Sequence, residues 1–560
     1  MSDDQSDDPE ARRLFPSVLP ICILPNMGDT STSAYFDPAK NYNLAKPFSD
    51  TSRRYPDRIA LCVDGRKLTY AETLNEVVRI VHWTRRSGAP PKRVGILAAR
   101  GLEAYVGILS SAWVGAAYVP IDIALPELAL IALLKRSGLD LLITDPAGSA
   151  RISESVLAVC PPRVLVSRRD LPVPANRPVT DFDELLPGVE PGEPAFMASS
   201  EPGYMMYTSG STGVPKAVVV TVGGVDHLLW TLSHDYPVRK EDRVAGTSPI
   251  SFDASVYDMF SAWQIGAALY IIPANVSLAP AKFLQEHEIT IWFSAPSIAA
   301  QMARMGLLKP NSFPSLHRSL FSGEALPRVV AEAWQSAAPN SKVINLWGAT
   351  EISVMGIGQV YSPDCYLTGA FIAIGRPYRG VKTAIADENL KLIGNEAKGE
   401  LLLGGPQLAL GYLDDEEKTR RAFVDIEGER WYRTGDLALR DAKGVLHYLG
   451  RIDHQVKVLG GARVELGEIE SHLRAVTGCE SVAAVAWPMQ DGVALGIVGF
   501  IGGFNGKATE VRNALKERLP ANMVPSRIQL MPNIPLNSNG KVDRKQLIAF
   551  LTAPSGASAS

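Results

Sequence analysis

Short apolar runs alternate with amphipathic stretches from residue 57 onwards, and this alternation restricts the fold more than any other feature of the chain. The runs at 58–63, 94–98 and 140–144 are predicted strands, because they are short, apolar and rich in branched side chains. Helical patterns separate these runs from one another. Strands that alternate with helices form a parallel sheet covered on both faces. The sequence therefore predicts an α/β fold.

The helix between the first two strands has a defined start. Thr69 and Glu72 have the spacing of a capping box, in which each side chain satisfies a free backbone N–H group. Beyond the cap, apolar residues recur on one helical face: Tyr70, Leu74, Val77, Val78 and Val81. The next helix is predicted after Leu102.

The composition is that of a globular protein, because hydrophobic residues make up 46% of the 560 residues and charged residues 21%. At about 150 residues per domain, this length predicts three or four domains, or fewer if one α/β unit is large. The net charge of −3 excludes a global basic field for nucleic acid or an anionic membrane. The N-terminus is acidic and no apolar run approaches about 18 residues, so we expect a cytoplasmic protein with no signal peptide or membrane span.

The spacing of cysteines and histidines argues against a disulfide-stabilised protein and against a zinc protein. The five cysteines contain no CxxC pair, and their odd number does not fit a disulfide framework. The eight histidines show no HxxxH or HExxH spacing, so a zinc site is not predicted.

The chain divides at several changes in pattern. Residues 1–13 and 553–560 are predicted to be disordered, because they are polar or small and have little to bury. Eight prolines fall within 161–194, which predicts a long surface connection inside the large domain, 14–452. Beyond residue 453 the elements become shorter, and 453–552 has a suitable length for a small α+β domain. In that part, helices are predicted at 466–476, 510–519 and after 542, with strands at 481–486, 493–501 and 527–531.

The segment 204–216 (YMMYTSGSTGVPK) carries the strongest chemical signal. A short apolar strand leads into a loop of hydroxyls and glycines that ends at Lys216. Glycines allow backbone N–H groups to converge on an anion, and the hydroxyls and the lysine add donors and charge. The loop is not a Walker motif, because Pro215 precedes the lysine and Ala217 follows it. A phosphate-binding loop is predicted, with a polar surface turn as the alternative.

Three further clusters are weak when taken singly. In 345–351 (NLWGATE), the tryptophan suits a planar base, the threonine a phosphate oxygen and the glutamate Mg²⁺, although a tryptophan beside a glycine is usually core. In 432–436 (YRTGD), followed by 450–453 (GRID), a carboxylate suits the hydroxyls of a ribose, or caps a turn. In 539–541 (NGK), a lone lysine is usually a solvated surface charge.

In this order and spacing, the clusters over about residues 45–552 resemble the adenylate-forming superfamily of acyl- and aryl-CoA synthetases, luciferases and nonribosomal peptide synthetase adenylation domains. The likeness is greatest to amino-acid-activating adenylation domains. The motifs that carry it are LTYAE (68–72), GAAYVPID (115–122), YTSGSTGVPK (207–216), FDASVYD (252–258), GELLLGG (399–405), YRTGD (432–436), GRIDHQVKV (450–458) and NGKVDR (539–544).

The resemblance implies a large N-terminal domain of β-sheets layered with helices, a small β-barrel-like part and a small mobile α+β C-terminal domain. It also implies two reactions: a carboxylate attacks the α-phosphorus of ATP, and a thiol then takes the acyl group. Thr208, Lys216 and Lys541 would be catalytic, and Glu351 would bind Mg²⁺. Nucleotide contacts are implied for the following residues: Ser209, Gly210, Ser211, Thr212, Gly213, Gly323, Glu324, Asn345, Trp347, Gly348, Thr350, Asp436, Arg451 and Lys457.

For the amino-acid substrate, the resemblance implies that Asp253 pairs with the α-ammonium group, since a buried carboxylate needs a partner charge. The alternative for Asp253 is a helix N-cap. The implied side-chain pocket consists of these residues: Ala254, Tyr257, Phe293, Leu320, Ser322, Leu346, Val354 and Met355. The pocket contains no charge beyond Asp253 and Lys541, so proline or a side chain the size of leucine or valine is expected.

Two segments depart from the family pattern. Trp347 and Ala349 replace the commoner tyrosine and proline, and the aromatic change preserves stacking on the base. In 458–463 (VLGGAR) a leucine replaces the usual basic residue and the loop has one extra residue. That loop adjoins the implied hinge at Asp453, about which the small domain would exchange Lys541 for the segment around Gly460.

Nineteen residues follow Lys541, which leaves no room for a carrier domain. The expected partner is therefore a separate peptidyl carrier protein of natural-product biosynthesis, with an MbtH-like helper protein as a further candidate. Two alternatives remain open. One is an acyl- or aryl-CoA ligase for a non-amino carboxylic acid, and the other is a catalytically silent relative that binds nucleotide.

Overall fold

The computed structural model describes residues 36–167, 179–187, 192–208, 215–452, 455–458, 461–490, 493–536 and 542–552. The termini predicted to be disordered lie outside these residues. Ser209, Gly210, Ser211, Thr212, Gly213, Asp453 and Lys541 also lie outside them, so their implied functions stay predictions.

Two large sheets form the body of the N-terminal part. The first has eight strands in the order Gly411–Tyr412, Lys216–Thr221, Pro202–Thr208, Ala117–Ile121, Arg93–Leu97, Leu141–Thr144, Arg163–Val166, Val179–Asp181. The second has nine, in the order Arg376–Pro377, Ile357–Val360, Lys342–Trp347, Arg318–Phe321, Ile291–Ser294, Arg243–Gly246, Ala268–Ile271, Ile59–Val63, Arg66–Thr69. The centre of each sheet is parallel, as predicted from the alternating pattern.

Helices cover both sheets. In chain order they are Lys46–Arg54, Tyr70–Arg86, Leu102–Trp113, Glu127–Ser137, Pro146–Ser149, Glu154–Val159, Val222–Asp235, Ala254–Trp263, Ala281–Glu286, Pro296–Arg304, Arg328–Ala337 and Glu416–Ala422. Short 3₁₀ helices lie at Phe182–Glu184, Ala274–Val276 and Thr350–Ile352. The predicted capping box at Thr69 and Glu72 is present in full. One hydrophobic core contains buried residues from both sheets, and it fixes the strands that carry the site relative to each other.

An antiparallel sheet forms the smaller β part of the N-terminal region. Its strands are Leu392–Ile393, Lys382–Ala386, Lys398–Gly404, Glu429–Arg440 and Phe423–Ile426, and Leu446–Arg451 also pairs with Glu429–Arg440. A two-stranded ribbon, Leu367–Thr368 with Phe371–Ile372, lies apart from it.

The C-terminal part has its own core, which extends from Val458 to Ile528. Helices Leu466–Thr477, Ala508–Lys516 and Arg544–Thr552 accompany a sheet of Val482–Ala486, Ile497–Gly502 and Arg527–Met531. Two ribbons complete it, Gln455–Lys457 with Arg463–Glu465 and Met489–Gln490 with Val493–Ala494. The fold class predicted from the sequence is confirmed, whereas the boundary at residue 453 stays a prediction.

Two sequence predictions were wrong in detail. The proline-rich stretch 161–194 is not only a surface connection, because Arg163–Val166 and Val179–Asp181 are the last two strands of the eight-stranded sheet, with Val179–Asp181 at its edge. Val164, Leu165 and Val166 are buried there, so the apolar run outweighs the surrounding prolines. The strand predicted at 493–501 is divided, and its first two residues pair in a separate ribbon. Among the described residues, no helix is both long and apolar enough to cross a membrane.

Candidate functional site

A cavity of about 570 Å³ opens between the large sheets and the C-terminal part. The carboxyl ends of parallel strands from both sheets reach it, which is the usual position of a ligand site in α/β folds. One wall belongs to the C-terminal part and consists of Gln455, Lys457, Gly461, Ala462, Arg463, Glu468, His472, Arg518, Pro520, Asn522 and Met523.

Many residues implied from the sequence line this cavity, although they are separated by up to 249 positions, from 208 to 457. They are Thr208, Asp253, Ala254, Phe293, Ser322, Gly323, Trp347, Gly348, Thr350, Val354, Asp436, Arg451 and Lys457. The fold thus brings the expected nucleotide and amino-acid residues to one place.

Four members of the expected side-chain pocket do not line the cavity: Tyr257, Leu320, Leu346 and Met355. Each is at most 1% exposed and packs into the apolar core behind the wall. Asn345 is also buried, and its Nδ2 donates to the carbonyls of Ile372 and Ala373. The expectation that all these side chains face the substrate therefore needs correction for this structure, because the backbone directs them into the core.

Thr208 and Lys216 occupy the two ends of the predicted phosphate loop. They are register partners on neighbouring antiparallel strands, so the strands hold the two residues that flank the loop next to each other. Lys216 Nζ lies 3.1 Å from Glu351 Oε1 and donates to the hydroxyl of Tyr412 at 2.8 Å. Burial lowers the pKa of Lys216, and the adjacent Glu351 carboxylate opposes that shift. The lysine is thus held at the base of the loop.

Glu351 is fully buried in a cationic environment. Its Oε1 accepts from Lys216 and, at 2.8 Å, from the hydroxyl of Tyr412, and Arg463 lies 3.7 Å from its Oε2. Burial alone would raise the pKa of Glu351, but Lys216 and Arg463 hold it at about 2. The carboxylate is therefore ionised at neutral pH.

The donor set allows a test for Mg²⁺. Glu351 Oε2 is a buried oxygen with no hydrogen-bond partner among the described residues. The same residues contain no group of three or more His, Cys, Asp or Glu side chains that could hold a metal ion. A single carboxylate oxygen fits Mg²⁺ when substrate phosphates and water supply the other ligands.

Asp253 precedes helix Ala254–Trp263 but makes no side-chain capping hydrogen bond to it, so the N-cap alternative is not supported. Its Oδ2 instead accepts a hydrogen bond from Thr350 Oγ1 at 2.8 Å. Burial raises the pKa of Asp253 to about 6, while the Thr350 hydrogen bond and the charge of Lys457 partly oppose the shift. The carboxyl group sits in a setting that favours a cationic ligand.

Asp436 and Arg451 form a second charged pair on neighbouring strands. They are register partners, and Arg451 donates to Asp436 Oδ1 at 2.7 Å. Burial raises the pKa of Asp436, and Arg451 and Lys457 oppose the rise. Burial lowers the pKa of Lys457, against the attraction of Asp436. These groups line the cavity where the N-terminal and C-terminal parts meet.

Glu324 connects the two parts of the molecule and does not line the cavity. Its carboxylate accepts from the backbone N–H and hydroxyl of Ser297, at 2.8 and 2.9 Å, and from the backbone N–H of Gly461 at 2.8 Å. With the approach of Arg463 to Glu351, this bond places the 461–463 segment against the large sheets. In this orientation Glu324 therefore does not face the cavity with the other residues implied to contact nucleotide.

Sequence reasoning missed Tyr412 and Gln407. Tyr412 bridges Lys216 and Glu351, and its ring lies 4.4 Å from Lys216 Nζ. Gln407 lies beneath the 350–355 turn, where it hydrogen-bonds the backbone. Neither residue belongs to a polar cluster in the sequence, so their proximity to the motifs became visible only in three dimensions.

Comparison with known proteins identifies the family. Residues 48–413 match the AMP-binding family, described as AMP-binding enzyme. D-alanine–D-alanyl carrier protein ligase of Bacillus cereus (strain G9842) is 30% identical over 515 residues, covering 89% of this chain and 97% of the relative. Tyrocidine synthase 1 of Brevibacillus parabrevis is 30% identical over 532 residues, which are 94% of this chain but 46% of that protein. The chain thus spans less than half the length of the synthase.

A solved structure gives the same result for the fold. The Vibrio cholerae adenylation domain AlmE, in complex with glycyl-adenosine-5'-phosphate, superimposes with a TM-score of 0.81 at 31% identity. The match covers 92% of this chain and 99% of that one. The chain has the fold of an adenylation domain and belongs to the family of AMP-binding enzymes.

Proposed function

We propose that this protein is an adenylate-forming ligase that activates an α-amino acid and passes it to a carrier protein. The observation that carries the proposal is the position of Asp253, a carboxyl group at the wall of the cavity that several of the expected nucleotide residues also line. Its carboxylate would pair with the ammonium group of the substrate. The relatives whose printed names include a D-alanyl carrier protein support the same substrate class.

The first step forms a bond between a substrate carboxylate oxygen and the α-phosphorus of ATP. The bond from the α-phosphorus to the bridging oxygen breaks, and pyrophosphate leaves with the electron pair. Such a step needs cations and oriented donors more than a base. Lys216 would bind the departing phosphates together with Thr208 and the loop after it, and Trp347 would stack on the base. Asp436 would accept from the ribose hydroxyls.

Mg²⁺ would supply positive charge to the phosphates, with Glu351 as its single protein ligand. Tyr412 and Lys216 keep the Glu351 carboxylate oriented through its Oε1, which leaves Oε2 for the ion. Arg463 would have to withdraw from Oε2 before the ion binds there.

The side-chain end of the site is apolar. Ala254, Phe293 and Val354 line it with Ser322, and none of them carries a charge. A charged substrate side chain would remain unpaired there, at a large desolvation cost. A medium apolar amino acid is proposed as substrate, either proline or one the size of leucine or valine.

The second step transfers the acyl group to a phosphopantetheine thiol, as AMP leaves. We assign it to the orientation seen here, in which Gly461 and Arg463 adjoin the site. Leu536 and Val542, the described residues nearest to Lys541 in sequence, bridge to each other and do not line the cavity. Adenylation would therefore need a rotation of the C-terminal part about Asp453, which brings Lys541 to the substrate.

We further propose that the adenylation core comprises residues 14–452 and the mobile domain residues 453–552. A peptidyl carrier protein would accept the amino acid in trans, with an MbtH-like helper protein as a further partner. The protein would act in natural-product biosynthesis in the cytoplasm. The partner class is supported by the relative named D-alanine–D-alanyl carrier protein ligase, which is 30% identical over 89% of this chain.

The deciding experiment is ATP–pyrophosphate exchange with a panel of amino acids, the matching 2-hydroxy acids and aryl acids. Exchange that is strongest with one apolar amino acid supports the proposal. Exchange confined to non-amino acids, followed by acyl transfer to CoA, would identify an acyl- or aryl-CoA ligase instead. Nucleotide binding without any exchange would indicate a silent relative. Lys216→Ala is the matched control for exchange by a contaminating enzyme, since it removes the phosphate-binding cation.

A further inference from the structure

We propose that Gln407 is a positioning residue for both the amino-acid and the nucleotide subsites, because it fixes the backbone of the 350–355 turn that supplies residues to each. The inference rests on the proposed function and extends it to a residue that touches neither substrate. Gln407 is fully buried, lies outside the cavity lining and belongs to none of the chemical motifs.

The turn has a backbone conformation that needs support. Ser353 and Val354 have φ values of 52° and 83°, in the left-handed region that L residues seldom adopt. For a β-branched residue such as Val354 this conformation is strained, and it persists only where the surroundings fix it. The turn also packs tightly, since a Cβ atom on Gly348 would lie 2.3 Å from Met355 Cα.

Gln407 supplies that support from one side chain. Its Nε2 donates to the carbonyls of Ile352 and Met355, at 3.2 and 2.8 Å, on either side of the strained pair. Its backbone carbonyl accepts from Ser353 Oγ at 2.8 Å. Its Oε1 lies 3.1 Å from Nδ1 of the buried His227, which holds the amide in place. Buried hydrogen bonds of this kind are costly to break, because the groups left behind stay desolvated.

Substrate recognition depends on what the turn carries. Thr350 donates to Asp253, Glu351 accepts from Lys216, and Val354 forms part of the cavity wall. The backbone N–H of Ala409, two residues after Gln407, donates to the carbonyl of Glu351 at 2.9 Å. A shift of the turn would therefore displace groups at both subsites together.

The test compares Gln407→Met with Gln359→Met in steady-state pyrophosphate exchange. Methionine keeps the length of the side chain and removes the amide. Gln359 is the matched control, because the hydrogen bond that its Nε2 donates goes to the adjacent Val360 carbonyl and not to the 350–355 turn. We expect Gln407→Met to lower kcat/KM by about 100-fold, as a displacement of about 1 Å does, and to weaken selection between the best amino acid and its 2-hydroxy analogue. Equal kcat/KM and selectivity in the wild type and Gln407→Met would overturn the inference.

A thermal measurement separates this inference from the proposed function. Val354→Gly relieves the backbone strain at φ 83°. The fall in Tm caused by Gln407→Met should therefore be smaller in the Val354→Gly variant than in the wild type, by about half or more. If the Tm changes of Gln407→Met and Val354→Gly simply add in the double variant, the inference is contradicted. This outcome can be observed even if the wild type proves inactive with every acid. If Gln407→Met fails to fold, Ser353→Ala provides a second test, because it removes only the hydrogen bond from Ser353 Oγ to the Gln407 backbone carbonyl. Ser353→Ala should still lower kcat/KM more than Gln359→Met does.

Discussion

Thr350 donates a hydrogen bond from Oγ1 to Asp253 Oδ2 at 2.8 Å, so the residue expected near the phosphate contacts the residue expected to bind the amino group. The two subsites are therefore joined by a hydrogen bond and not merely adjacent. The Thr350 hydroxyl has one proton, and while Asp253 accepts it, a phosphate oxygen cannot. Binding of nucleotide and of amino acid is expected to be coupled through this pair.

Asp253 should select for an α-amino group. A substrate without the ammonium leaves the carboxylate unpaired in the site, and gaps of this kind reject analogues by about 10⁴-fold. We expect the hydroxy or des-amino analogue of the best substrate to be adenylated far more slowly than the amino acid. Asp253→Ala should reduce this difference in kcat/KM, because the variant loses activity on the amino acid. The measurement is kcat/KM for the matched acids with each enzyme. Equal treatment of both acids by the wild type would refute the substrate class.

The same residue predicts a pH dependence. Burial raises the pKa of Asp253 to about 6, and only the ionised form pairs with an ammonium group. We expect kcat/KM for the amino acid to be maximal above pH 6 and to fall as the pH drops through it, since kcat/KM reports groups of the free enzyme. Thr350→Val removes a hydrogen bond that lowers the pKa of Asp253. The inflection in the pH profile of kcat/KM should therefore lie at higher pH in Thr350→Val than in the wild type. Superimposable profiles of the two enzymes would exclude this coupling.

Lys541 should be required for adenylation. Its ammonium is expected to meet charge that grows in the transition state, so Lys541→Ala should cost about 3–4 kcal/mol in the first step, with little change in substrate binding. The exposed Lys545, four residues later, provides the control, and Lys545→Ala should be active. Near-normal adenylate formation by Lys541→Ala in a single-turnover assay would disprove the assignment.

Glu351→Gln should raise the Mg²⁺ concentration needed for half-maximal exchange and slow adenylation, because it removes the charge proposed to hold the ion. A Mg²⁺ titration curve identical to that of the wild type would make the carboxylate purely structural.

The stability of the folded protein should also depend on Glu351 as the pH changes. The pKa of Glu351 is lowered to about 2, so its contribution is present above its ordinary pKa of 4.5 and is lost as the pH falls towards 2. The wild type should therefore lose more Tm than Glu351→Gln over that interval.

Tyr412→Phe should disturb Lys216 and Glu351 together. The variant keeps the ring near Lys216 but removes the hydroxyl that joins the two charges. Loss of one hydrogen bond to a charged group corresponds to about 1.5–3 kcal/mol, and we expect at least about a tenfold fall in exchange. Tyr361→Phe, at a partly exposed ring, is the control. Unchanged exchange and an unchanged Mg²⁺ requirement in Tyr412→Phe would show that the bridge is dispensable.

The fold could be predicted from the sequence because it depends on periodic patterns. The alternation after residue 57 predicted the parallel sheets, and the capping box at Thr69 predicted where a helix begins. The order of the motifs predicted the family, which the match over 48–413 confirms. The prolines of 161–194 misled because two strands of the eight-stranded sheet, Arg163–Val166 and Val179–Asp181, lie among them.

The site could be predicted only in part. Motifs give the residues at the carboxyl ends of strands, such as Thr208 and Trp347, because those ends converge in any α/β fold of this type. They do not give the direction of each side chain, and so Leu320 and Leu346 were expected at the surface of a pocket whose wall they support from behind. Gln407 and Tyr412 escaped prediction because their partners are 52 to 196 residues away in sequence.

The strained Val354 has a consequence for how substrate preference diverges among related chains. If the shape of the wall at Val354 depends on the buried amide of Gln407, two descendants with identical residues facing the substrate could prefer different amino acids after one hidden replacement at 407. Substrate tables compiled from lining residues alone would assign both descendants the same amino acid. Inheritance of substrate preference would then follow the support of the turn as much as the side chains that meet the ligand.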